Sequence, residues 1–127
     1  MNKVKVGVVG LGRLGRVHAQ NIRYKIPGAD LTAACSIVPA ELEYAKNELG
    51  VTDVYTDYKE MLAKADIDAV VIVTTSSEHC WQIEAALDAG KHVFSEKPLG
   101  VDVAQCKQAE AAVERHPELT FMLGFMR

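Results

Sequence analysis

The chain alternates between short runs that are apolar at nearly every residue and longer stretches whose apolar residues recur at helical spacing. Val4 to Val9 is a run of the first kind, as a strand covered on both faces requires. From Arg13 to Lys25 the period turns helical. Leu14, Val17 and Ile22 are expected on the buried side, Arg13, Arg16, Gln20 and Arg23 on the other, and Pro27-Gly28 as the stop. A second strand is expected from Leu31 to Ser36, then a helix opened by Pro39 and ended at Leu49 by Gly50. A short strand near Val54-Tyr55 precedes a helix through Ala63, for which Asp57 and Glu60 have capping-box spacing. Asp68 to Thr74, reading DAVVIVT, is the clearest buried strand. Ser77 to Ala89 reads as a helix stopped by Gly90, His92 to Ser95 as a fifth strand, and Leu119 to Leu123 as a sixth. Between the last two, Asp102 with Gln105 caps a helix whose apolar positions are Val103, Cys106, Ala109 and Val113.

Strands and helices alternating over the whole chain, joined by short loops, predict a doubly wound α/β domain over residues 1–127 with a mostly parallel sheet. A length of 127 residues suits one compact domain, and 49% hydrophobic with 24% charged residues is a globular composition rather than a disordered one. The net charge of −3 gives no reason to expect nucleic acid or an anionic membrane as partner. No stretch approaches the ~20 apolar residues of a membrane span. The start, Met1-Asn2-Lys3-Val4-Lys5, lacks a signal-peptide pattern, so a cytoplasmic location is expected. Cys35, Cys80 and Cys106 are widely spaced in apolar stretches, which suits small buried hydrophobes better than metal ligands or disulfides.

Gly10-Leu11-Gly12-Arg13-Leu14-Gly15 fits GxGxxG between the first strand and the first helix. The first glycine permits the tight turn, the second leaves room for a pyrophosphate, and the third lets helix and sheet pack closely. The helix N-terminus at Arg13 and Leu14 then offers free amides to the phosphates. An NAD-specific fold usually carries an acid at the end of the second strand to hold the ribose 2′-OH. Here Ser36 stands there, and no Arg or Lys for a 2′-phosphate follows until Lys46. NAD is favoured, with NADP left open.

Two further segments fall at C-terminal ends of strands, where ligands bind in this fold. One is Thr74-Thr75-Ser76-Ser77-Glu78-His79; the other runs from Ala89-Gly90-Lys91-His92-Val93 to Glu96-Lys97-Pro98. With the glycine turn, the GKHV…EKP segment resembles the glucose–fructose oxidoreductase, inositol dehydrogenase and rhizopine-catabolism family along the full chain. The resemblance implies an N-terminal Rossmann domain followed by an α/β substrate domain absent from these residues. It places Lys97 at the reacting oxygen of the substrate and Glu96 on the cofactor side, and it makes the Lys97–Pro98 bond a candidate cis peptide. Without it, Glu96-Lys97 reads as an ordinary solvated ion pair. His79 is similar to the family's histidine at a helix start, and reads equally well as support for the nicotinamide-side loop or as a satisfied structural histidine. Thr74 and Ser76 are expected near the cofactor, and His18, His92 and His116 are read as structural or exposed. The ending GFMR is similar to myo-inositol 2-dehydrogenases, which puts Arg127 near a polyol.

The implied function is the cofactor domain of an NAD(P)-dependent dehydrogenase acting on a cyclic polyol or sugar. This chain alone is expected to be inactive, the general base lying in the substrate domain, and the parent enzyme is expected to be a homo-oligomer. A non-catalytic NAD(P)-binding sensor is the alternative. A methyltransferase using the glycine turn for S-adenosylmethionine is a third reading, in which Lys97 has no evident purpose.

Overall fold

The structure, a computed structural model, describes residues 3–26, 28–74, 76–96 and 103–124. For Arg13, Leu14, Ser76 and Glu96 it describes the backbone alone. The elements run β1 (Val4–Val9), α1 (Arg13–Tyr24), β2 (Ala29–Cys35), α2 (Pro39–Glu48), β3 (Asp53–Tyr55) and α3 (Tyr58–Lys64). They continue with β4 (Ala69–Ile72), α4 (Ser76–Asp88), β5 (His92–Glu96), α5 (Val103–Arg115) and β6 (Phe121–Gly124).

All pairings are parallel, and the strand order β3-β2-β1-β4-β5-β6 is that of the doubly wound dinucleotide-binding fold expected from the sequence. The order reverses between β1 and β4. The C-terminal ends of these strands diverge there and leave a crevice.

Alternate residues of each strand feed two separate cores. Val6, Val8, Leu31 and Ala34 pack with Ala19 and Ile22 of α1 and Ala45 of α2 on one face. Val9, Ala33, Cys35, Val70 and Ile72 pack with α3, α4 and α5 on the other. A slip in register explains how Leu31 and Ala33, two residues apart, reach opposite faces. Val6 pairs with Leu31 and Gly7 with Ala33, so Thr32 is an extra residue in β2.

One expectation about α1 fails. Val17 is 47% exposed, and the buried stripe is Gly15, Ala19 and Ile22. These positions recur at four and three residues and so share a side, whereas Val17 lies more than a right angle away from Ile22 around the helix. The helix also ends at Tyr24, before Pro27, which lies outside the described residues, as does Asp102. Asp57 caps α3 as expected, its carboxylate accepting from the amides of Lys59 (2.9 Å) and Glu60 (3.4 Å). Among the described residues no helix is long and apolar enough to cross a membrane, and no cluster of His, Cys, Asp and Glu could hold a metal.

Candidate cofactor-binding site

The crevice beyond β1 and β4 is a cleft of about 970 Å³. Gly10, Leu11 and Gly12 form one wall, Ser36, Ile37 and Glu41 a second, and Thr74, Trp81 and Gln82 a third.

The three glycines of the turn serve different geometric purposes. Gly10 has φ +92°, and a Cβ there would sit 2.6 Å from the Val73 carbonyl oxygen. Its amide donates to Cys35 O at 2.9 Å, tying the end of β1 to the end of β2. Gly15 is buried, and a Cβ there would meet Gly10 O at 2.0 Å, so the first turn of α1 lies directly against the glycine loop. Around Gly12, by contrast, a Cβ would meet nothing within 4 Å. The protein itself places no steric demand on that position, and the open side is the cleft.

Gly12 is also the N-cap of α1, and it brings no side chain to the helix amides. The first turn carries no acidic residue. Uncapped amides at the positive end of a helix are a ready anion site. Arg16 braces this corner from outside the cleft. Its Nε donates to Leu11 O at 3.0 Å, and its guanidinium lies 4.3 Å from the centre of the Tyr44 ring.

On the opposite wall, Thr74 faces the cleft, but its hydroxyl donates to Gln82 Oε1 at 2.5 Å. His79 does not line the cleft. It is 2% exposed, with Nε2 2.8 Å from Thr74 O, so it holds the β4–α4 loop from behind. That contact suits both of its readings, support of the loop and a satisfied structural histidine. Gln82, Tyr58 and Trp81 were not among the sequence candidates. Gln82 is 5% exposed, and its carbonyl accepts from the Tyr58 hydroxyl at 2.7 Å. The Tyr58 and Trp81 rings meet edge to face with centroids 5.5 Å apart. These residues reach the cleft only because α3 and α4 pack side by side, which no local spacing announces.

Ser36 comes directly after β2, which ends one residue earlier than expected, and it lines the cleft with its hydroxyl already engaged. It donates to Glu41 Oε1 at 2.6 Å and accepts from the Val38 amide at 3.0 Å. Cys35 beside it is a free thiol, and burial, with the Asp57 carboxylate adding to it, raises its pKa to about 11. It therefore stays protonated at neutral pH and packs as a hydrophobe. Cys80 is buried likewise. His92 and His116 are structural, His92 Nδ1 accepting from the Thr120 amide (2.9 Å) and His116 Nε2 bonding Asp88 (2.7 Å). His18 meets Phe94 edge to face at 5.6 Å.

Lys97, Pro98 and Arg127 lie outside the described residues, as do the side chains of Arg13, Leu14, Ser76 and Glu96. Glu96 ends β5, which runs parallel to β4, so its backbone leaves the sheet on the side of the cleft.

Residues 4–125 match the GFO/IDH/MocA family, an oxidoreductase family with an NAD-binding Rossmann fold. Scyllo-inositol dehydrogenase from Lactobacillus casei, solved with NAD(H) and scyllo-inositol, is 55% identical with a TM-score of 0.96, over 99% of this chain and 37% of that one. Myo-inositol 2-dehydrogenase from Lactobacillus plantarum is 42% identical with a TM-score of 0.96, over 99% and 37% of the two chains. Scyllo-inositol 2-dehydrogenase (NAD(+)) of Bacillus subtilis is 37% identical over 126 residues, which are 99% of this chain and 36% of the relative. The chain thus spans little more than a third of the length of the relatives it matches.

Proposed function

Because the chain belongs to the GFO/IDH/MocA oxidoreductase family and is an NAD-binding Rossmann domain, we propose that it holds NAD for the oxidation of a cyclic polyol of the inositol class. The observation that carries the cofactor reading is the contrast within the glycine turn. Gly10 and Gly15 are demanded by contacts inside the protein, whereas Gly12 is demanded by nothing except what enters the cleft. The polyol rests on the inositol dehydrogenases among the relatives. Nothing among these matches supports the sensor alternative.

In this reading the pyrophosphate lies on the uncapped N-terminus of α1, with the amides of Arg13 and Leu14 as donors. Thr74, fixed by Gln82 and His79, sets the wall at the end of β4. Bound nicotinamide supplies the acceptor for a hydride leaving the substrate carbon. Lys97, the residue after β5, would hold the substrate oxygen and stabilise the alkoxide that forms as the hydroxyl proton leaves, before the hydride is transferred. Glu96 and Ser76 flank the cofactor, and Arg127 contributes to the polyol site. The hydroxyl proton goes to a general base outside residues 1–127.

The test is inositol oxidation by two proteins. One is the 127-residue chain; the other is the Lactobacillus casei scyllo-inositol dehydrogenase with this chain in place of its matching residues. The chimera should oxidise inositols with NAD and the chain alone should not, since losing substrate positioning forfeits ~7–11 kcal/mol of barrier reduction. Lys97→Ala in the chimera should lower kcat by ~10²–10⁴ and leave NAD affinity nearly unchanged. Near-normal turnover of that variant would remove Lys97 from the chemistry, and turnover by the chain alone would refute the need for an outside base.

A further inference from the structure

We infer that Glu41, in the first turn of α2, is the carboxylate that reads the adenosine ribose and sets NAD over NADP. The inference rests on the dinucleotide reading of the cleft. The residue directly after β2, where a ribose-binding acid ordinarily stands, is Ser36. The structure brings a carboxylate to the same corner from elsewhere. Pro39 starts α2 directly after the β2 loop, so Glu41 is the third residue of the helix, a position whose side chain reaches back over the helix start.

Two contacts fix where it reaches. Glu41 Oε1 accepts from the Ser36 hydroxyl at 2.6 Å and from the Leu11 amide of the glycine turn at 3.2 Å. One carboxylate oxygen thus bridges the end of β2 and the turn after β1, the gap that a ribose spans when its pyrophosphate lies on α1. Glu41 lines the cleft, and among the described residues Oε2 takes no hydrogen bond. Oε2 keeps its acceptor sites, which suits it to a ribose hydroxyl such as the 2′-OH. A 2′-phosphate would set a second anion of charge roughly −1.5 to −2 against it. No Lys or Arg is described lining the cleft to offset that repulsion. Ser36 is therefore a positioning residue whose hydroxyl orients Glu41. Ile37, 87% exposed at the cleft mouth, offers an apolar face beside the ribose for the adenine.

The test is calorimetric titration of the full chain, Glu41→Gln and Glu41→Ala with NAD and with NADP, each variant first checked for cooperative thermal unfolding. The natural chain should prefer NAD. Glu41→Ala should weaken NAD about 10- to 100-fold, the loss expected when hydrogen bonds to a charged group go, while NADP binding holds or strengthens. Glu41→Gln keeps an acceptor and removes the charge, so NADP should gain more than NAD loses. An NAD/NADP affinity ratio unchanged in both variants, or a natural chain that prefers NADP, would overturn the assignment. A natural chain that binds neither cofactor would overturn the dinucleotide reading itself, and this inference with it.

Discussion

Enlarging Gly12 to valine and Gly15 to alanine should separate binding from folding. At Gly15 the added Cβ would lie 2.0 Å from the Gly10 carbonyl oxygen, a distance that real Cβ atoms keep above 3.0 Å. The obstacle is backbone, so it cannot rotate away, and α1 or the glycine loop must shift by about an ångström to restore ordinary contact. Overpacking of this kind costs ~1–3 kcal/mol, with the upper end expected against a rigid carbonyl. Alanine's better helix propensity returns at most ~1 kcal/mol. The net loss is ~2 kcal/mol, or roughly 5–10 °C in Tm for a domain of this size. At Gly12 the backbone has φ −71° and ψ −164°, extended geometry that valine accepts, and no atom lies within 4 Å of the new Cβ. Only the N-cap preference for glycine is lost, at ~0.5–1 kcal/mol. Thermal melts of both variants, followed by NAD titration, give the comparison. Gly12→Val should melt within a few degrees of the natural chain and bind no NAD. Undiminished NAD affinity in Gly12→Val would refute the role given to that position, and an unshifted melt in Gly15→Ala would refute the packing argument.

Two further outcomes follow from the surroundings of the cleft. Burial raises the Cys35 pKa from 9.0 to about 11, so between those values the unfolded chain releases a proton that the folded chain keeps. This contribution to stability is fully present below pH 9 and is lost as pH rises toward 11, by ~2 kcal/mol. Urea midpoints at pH 8 and 10.5 should therefore converge in Cys35→Ala relative to the natural chain, and an equal fall in both would contradict it. Asp57→Ala removes the acceptor for two amides at the start of α3 and should cost about 1 kcal/mol in urea unfolding with an unchanged m value. An unmoved midpoint would show that water caps the helix as well.

Much of the fold was legible because β1 and β4 are short, largely apolar runs and the described connections are short. Val4–Val9 matched its expected span, and Pro39 opened α2 as its fixed φ suggests. Val17 was misplaced because a list of apolar residues is not a stripe. Gly15 and Ala19, small residues without an obvious hydrophobic signal, form the contact face of α1. The extra residue at Thr32 could not be read, since nothing in its neighbours marks where β2 changes face. Gly10 and Gly15 were legible because each answers a local steric need, whereas Gly12 answers none within the protein. Glu41 was missed because the acid was sought only at the end of β2. The available signal was a glutamate three residues after the N-cap of a helix opened by proline. Gln82 and Trp81 carried none, for their place in the cleft comes from α3 packing on α4.

Trp81 offers the most direct measurement of whether this cleft binds the dinucleotide. It is the single tryptophan of the chain and lines the cleft. Reduced nicotinamide absorbs where tryptophan emits, so NADH bound here should quench Trp81 by energy transfer and gain sensitised emission of its own. Titrating the 127-residue chain with NADH should give saturable quenching that excess NAD reverses and that Gly12→Val abolishes. Trp81 emission unaffected by NADH up to millimolar concentration, or quenching that NAD does not compete away, would contradict the claim that this is a working NAD site.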